Sequence, residues 1–363
     1  NGWTVGISGI ILKTIDGGIT WESKISGTTN FLNGVHFSDV NTGWVVGANG
    51  IILKTTDGGT NFISQSIGTA NALKSIYCAD LNNEWAVGMS GTIRKTSDSG
   101  LSWENQTSGT TNILNGVHFS DVNTGWAVGM SGTIRKTSDS GLSWETQTSG
   151  TTMLLNGVHF EDIYTGWAVG MSGTIRKTID GGSTWFSQTS GTINALNGVY
   201  FSDENTGWAV GMFGTILKTT NSGANWLTKS SGTTNILNGV YFSDANTGWT
   251  VGATGTILKT TNGGDNWLSQ TSGTTNALYG IYFSDVNTGW AVGDKGTILK
   301  TTDGGASWIL KTSGTGSTLY AIHFADENTG CIVGANGTII RKTISEPQLL
   351  NPVNNTNYLP LDL

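Results

Sequence analysis

The chain has 363 residues, 54 of them glycine and only 12% charged, with a formal net charge of −7. That acidic balance offers no basic face for nucleic acid, and no run reaches the roughly 18–20 apolar residues of a membrane-spanning helix. Two cysteines in so long a chain cannot build a disulfide framework.

The predicted elements begin at once. GWTVG at residues 2–6 and GIILKT at 9–14 are short β-branched runs, followed by the Asp- and Gly-rich turn TIDGGITW at 14–21 and, at 32–37, by LNGVHF. GWVVG at 43–47 then starts the set again. The Trp of the GW pair marks the period: Trp3, Trp44, Trp85, Trp126, Trp167, Trp208, Trp249 and Trp290, then Cys331, every interval 41 residues. Residues 85–104 and 126–145 are identical. A second Trp closes the turn at Trp21, Trp103, Trp144, Trp185, Trp226, Trp267 and Trp308, with Phe62 once, and the two slots hold all 15 tryptophans. They read as core wedges repeated by symmetry rather than as sugar-stacking platforms. Cys78 stands where sister copies carry Phe, and Cys331 where they carry Trp, so both read as small buried hydrophobes rather than a redox or metal pair.

With the strands named A (LNGVHF), B (GWAVG), C (GTIRKT) and D (SWETQTS), each 41-residue unit holds four, and no sustained 3.6-residue apolar period suggests helices. The chain is therefore expected to be all-β: a closed β-propeller of four-stranded antiparallel blades, over residues 1–345. Stacking in a ring covers the sheet faces that one blade cannot bury alone. Strands B and C occur nine times, A and D eight. That count favours nine blades, closed by a D and an A strand from roughly 20 residues ahead of Asn1. The alternative is eight blades with one B–C hairpin left over.

The turn segments TIDGGITW, TTDGGTNF, TSDSGLSW (twice), TIDGGSTW, TTNSGANW, TTNGGDNW and TTDGGASW resemble the Asp-box, or bacterial neuraminidase repeat. Joined to GW-VG--G-I-KT over residues 1–344, the unit resembles the propellers related to the photosystem II stability and assembly factor. That resemblance implies a propeller, by itself of seven blades, which the strand count does not fit. Similar repeats in secreted bacterial surface proteins imply an extracellular or cell-surface placement. The fold alone carries no activity. Asp16, Asp57, Asp98, Asp139, Asp180 and Asp303 become Asn221 and Asn262 in two copies, so the slot needs a hydrogen-bond acceptor for the turn and neither an acid nor a metal ligand.

Catalysis is not expected. The sialidase resemblance would imply three arginines around a carboxylate, a Tyr–Glu pair and an acid Asp. The four arginines are Arg94, Arg135 and Arg176 in one strand-C slot and Arg341 in the next, so no triad converges. Asp39, Asp80, Asp121, Asp162, Asp203, Asp244, Asp285 and Asp326 share one A–B turn slot, which an Asx turn explains. His36, His118, His159 and His323 alternate with Tyr77, Tyr200, Tyr241 and Tyr282, a pattern of packing. No cofactor and no metal is implied.

The copies differ most at the B–C tips, where Met89, Met130, Met171 and Met212 fall on consecutive repeats and Phe213 follows the last. Methionine suits tolerant binding surfaces, so these five residues, with Arg94, Arg135 and Arg176 nearby, are the candidate partner-binding arc. Packing of the Met side chains over neighbouring loops is the alternative. All three prolines follow Glu346, and residues 346–363 read as a linker running into a following β-sandwich domain. The functional expectation is a non-catalytic scaffold that binds a protein partner, in a secreted or cell-surface bacterial protein. A multivalent glycan-binding propeller, an assembly-factor-like chaperone and, least favoured, a sialidase-like hydrolase are the alternatives.

Overall fold

The computed structural model describes residues 71–350 apart from 81, 99–101, 312, 314, 325–329, 336–337 and 343–347; before residue 71 it describes the strands, Thr20, Ile25 and Ser26. One repeat shows how the unit folds. Leu114–Phe119, Gly125–Gly129, Ile134–Thr137 and Glu145–Gln147 pair side by side as antiparallel strands A to D. Every residue of strand B is buried, and for that reason GWAVG reads as an unbroken apolar run rather than an alternation. Strand D is short, polar and exposed, which limits pairing at the open edge. At the B–C tip Ser131 (φ 56°) and Gly132 (φ 68°) are both left-handed, the backbone of a tight two-residue hairpin turn. In the C–D turn the Asp139 carboxylate accepts the Ser143 N–H at 2.9 Å and the Thr137 hydroxyl at 2.8 Å. Asn221 and Asn262 accept the equivalent N–H groups of Asn225 and Asn266.

Neighbouring blades are joined by aromatic stacking. The strand-B Trp of one blade lies flat on the strand-A Phe of the next: Trp126 on Phe160 at 3.5 Å between centroids, Trp167 on Phe201 at 3.5 Å, Trp208 on Phe242 at 3.6 Å. The Phe is also met edge-on by the turn Trp of its own blade, as Phe160 is by Trp185. Trp126, Trp208 and Trp249 further donate their indole N–H groups to the turn carbonyls of Gly181, Gly263 and Gly304, each in the following blade.

The ring has seven blades, not nine or eight. It runs from the sheet that begins with Leu73–Cys78 to the sheet that begins with Leu319–Phe324, and those two strands lie side by side just as neighbouring A strands do elsewhere. Seven inward-facing rings, Tyr77, His118, His159, Tyr200, Tyr241, Tyr282 and His323, complete a circle with centroid separations of 4.5 to 5.4 Å, the last step passing from His323 back to Tyr77. Counting copies overestimates the blades because a propeller closes where two sheet faces fit, and copies three and nine are the pair that fit. Strands Gly2–Val5, Ile11–Thr14 and Glu22–Lys24 form a separate three-stranded sheet beside the four-stranded sheet of Leu32–Phe37, Gly43–Gly47, Ile52–Thr55 and Ile63–Ser64. The last blade is completed from the C-terminal side rather than by an N-terminal D strand. Its outer strand is Gln348–Leu350, paired with Ile339–Lys342 and lying within the segment read from sequence as a linker.

Two measurements test this packing. A Cβ on Gly125 would sit 2.5 Å from the Phe119 ring, so Gly125→Ala should lower unfolding stability by about 1–3 kcal/mol in denaturant titration. His118 is held well below the usual imidazole range, first by burial and then by the neighbouring charges of His159 and His323. The unfolded chain takes up that proton near pH 6.5 and the folded chain does not. The His118 contribution is therefore intact above pH 6.5 and is lost as the pH falls below it, by about 1.4 kcal/mol per pH unit. Thermal unfolding followed from pH 8 to 5 should show this decline, and His118→Tyr, the residue that four other ring copies carry, should make it shallower, with the equally buried His323 supplying the remainder.

Candidate functional site

Strand A turns its second to fifth residues toward the axis, and a cavity of about 580 Å³ runs between the blades there. The aromatic circle lines its inner part. Burial pushes the phenols of Tyr77 and Tyr200 up to about 12 and takes His323 down to about 4, so these three rings are neutral near pH 7. His36 lies outside the described side chains.

The mouth is one-sided. Asn115, Asn156, Asn197 and Asn238, on four consecutive blades, each donate a side-chain N–H to a carbonyl of the next blade, those of Leu155, Leu196, Leu237 and Leu278, at 2.8 to 3.0 Å. On the other three blades the same slot holds Tyr279, Tyr320 and Lys74. The Lys74 ammonium lies 3.8 Å over the Tyr320 ring, Tyr320 and Tyr279 are 5.5 Å apart, and the Tyr279 hydroxyl donates to Asp294 at 3.4 Å. A cation and two aromatic rings thus face four self-satisfied amides across one opening. Sequence reading missed this trio, although its signal is present: LKS, LYG and LYA replace LNG in three copies.

The B–C tips share that face. The Met130 N–H donates to the Ile113 carbonyl at 2.9 Å, which seats each tip against the segment leading into strand A. Met89, Met130 and Met171 are 40 to 43% exposed, Met212 is half-buried, and Phe213 is 66% exposed. Phe213 also has φ 56°, a left-handed backbone unusual for a bulky residue. An exposed aromatic in a strained position is not explained by packing.

The arginines stand apart from this arc. Arg135 donates to the Gly109 carbonyl and the Thr146 hydroxyl, and Arg176 to the Gly150 carbonyl, so both hold the protein's own D–A segments. Arg94 is buried.

The carboxylates are similarly occupied. Asp121 accepts the N–H groups of Asn123 and Thr124 at 2.6 and 2.9 Å, and Asp162, Asp203, Asp244 and Asp285 do the same in their turns. Hydrogen bonds from the Ser307 hydroxyl and N–H bring Asp303 down to about 2, far from the range of a general acid. Asp98, Asp139 and Asp180 make equivalent turn bonds. Asp16 and Asp57 lie outside the described residues.

Solved structures share this fold. The structure described as YCF48 bound to D1 peptide superimposes with a TM-score of 0.65 at 22% identity, over 77% of this chain and 93% of that one. YCF48 from Cyanidioschyzon merolae gives 0.66 at 21% identity, over 77% and 97%. The WD40 β-propeller domain of Doa1 gives 0.64 at 15% identity, over 76% and 93%. No curated protein sequence matches the chain. The family model for the photosynthesis system II assembly factor YCF48 matches residues 1–70, 24–108, 138–231, 191–276, 228–308 and 272–343. The chain belongs to the YCF48 family of photosystem II assembly factors.

Proposed function

We propose that the chain is a non-catalytic, assembly-factor-like propeller that captures an extended segment of a protein partner on the face carrying the channel mouth and the B–C tips. Family membership carries the reading, together with the solved YCF48 that holds a D1 peptide. The chain's own chemistry supports it. Lys74 and the rings of Tyr279 and Tyr320 offer a cation and two flat surfaces on one side of the mouth, and exposed Met89, Met130, Met171 and Phe213 extend the face outward. Methionine surfaces adapt to extended apolar side chains, and a one-sided mouth suits an asymmetric ligand. Among the described residues the tryptophans are taken up in the core, which disfavours a sugar-stacking site in every blade. The carboxylates of the turns are spent on backbone hydrogen bonds, which supports a binding role over hydrolysis.

Fluorescence anisotropy with a labelled D1 peptide tests the proposal on the full chain. Saturable binding is expected, and Lys74→Ala with Tyr320→Ala should weaken it by at least tenfold while circular dichroism is unchanged. No binding at any concentration, or binding untouched by these changes, would sink it. A second expectation separates stability from function at Phe213. Phe213→Asn relieves the left-handed strain and should raise unfolding stability by about 1 kcal/mol while reducing peptide affinity.

A further inference from the structure

Three departures from the repeat meet at the one interface where the ring closes. Cys78 occupies the strand-A Phe slot of the first ring blade and Glu84 the strand-B Gly slot of the same blade. Cys331 occupies the strand-B Trp slot of the last blade. Where six interfaces stack Trp on Phe, the seventh sets Cys331 against Cys78. The Gly slot is closed to side chains elsewhere, because a Cβ on Gly125, Gly166, Gly207, Gly248 or Gly289 would lie 2.5 Å from the Phe ring. Cys78 removes that ring, and the Glu84 side chain enters the space.

The three side chains are 4%, 0% and 0% exposed. Their thiol sulfurs and a carboxylate oxygen all lie within 4.8 Å of one another, with Cys331 Sγ 2.8 Å from Glu84 Oε2. The Cys78 thiol also faces the His323 carbonyl at 3.6 Å. Packing alone does not call for these residue types. Alanine or valine would fill a small gap, whereas two thiols and a buried carboxylate with their ligand atoms within 4.8 Å of one another form a donor set for a soft divalent cation.

We propose that Cys78, Glu84 and Cys331 bind one thiophilic divalent cation, zinc foremost, as a clasp across the ring seam. Two thiols release their protons to solvent, and two metal–sulfur bonds and one metal–oxygen bond form. A fourth position is left for water, a ligand number that tetrahedral zinc accepts. A pair of thiolates selects zinc over magnesium or calcium. Because Glu84 and Cys331 lie 247 positions apart in the chain, the ligand set exists only in the closed ring, and binding is coupled to closure.

The test uses the full chain, reduced, with Zn²⁺ or Co²⁺ alone. One metal ion per chain is expected. The cobalt form should show thiolate-to-metal charge-transfer absorption and the visible bands of a tetrahedral site, and Tm should rise by several degrees with Zn²⁺ and fall on chelation. Cys331→Ser should abolish the cobalt bands, and Glu84→Gln should weaken metal binding at least tenfold. Since a seam variant can fail to fold, a second variant restores the residues of the repeat. The triple change Cys78→Phe, Glu84→Gly and Cys331→Trp should fold, with the circular dichroism of the parent, and bind no metal. Absence of bound metal in the reduced parent overturns the proposal. So does metal retained by the triple variant, or a Cys78–Cys331 disulfide that forms and persists in the presence of Zn²⁺.

Discussion

The stack of a strand-B Trp on the strand-A Phe of the next blade is the contact on which the rest of the molecule depends. Each stacked pair adds about 1 kcal/mol beyond the area it buries, and each Trp is almost wholly removed from water. The stack also sets how one sheet is placed against its neighbour. The Gly before each Trp is kept small because the Phe ring needs its space, and the turn carbonyls of the following blade receive the indole N–H of three of these Trp residues. One aromatic contact therefore accounts for the glycine beside it, the turn that caps it and the placement of neighbouring A strands around the axis.

A repeat with so much shared structure can be specific only where copies differ. Backbone symmetry brings seven equivalent positions to the channel mouth. Four are Asn side chains bound to their neighbours, and three are Lys74, Tyr279 and Tyr320 with chemistry left to offer. The same holds at the tips, where a fixed left-handed turn accepts Ser, Thr, Lys or Phe at one position. Conformation is common to the six tips described, and the side chain at a given slot is free to vary.

What can be read from sequence follows the range of the interaction. The period, the four strands and the buried tryptophans are legible because each is set by contacts within one repeat or its neighbour. The acceptor role of the Asp-box is legible in Asn221 and Asn262. Blade number is not legible in the copy count, although the family resemblance implied seven, because it depends on which two faces meet after many repeats, and equivalent slots hide that. Cys78 and Cys331 are visible as departures, yet read singly they look like small apolar substitutes, and Glu84 is lost in a strand that is otherwise Gly-Trp. Arg135 and Arg176 show the same limit on a smaller scale, since each guanidinium spans to a segment 26 residues earlier and serves a loop.

The seam also shapes how the molecule folds. Within the ring every interface but one joins neighbours in the chain, so ordering can start at any blade and spread by short steps. The closing interface joins residues about 250 positions apart, as Cys78 and His323 are (245 positions). Closing that larger loop costs about 1.6 kcal/mol more chain entropy than closing a single 41-residue repeat. The closing interface also lacks the Trp–Phe stack that the other six possess. Seven blades stacked in an open arc, ordered everywhere except at this junction, form the lowest-lying partly folded state, and the ring opens first between its first and last blades.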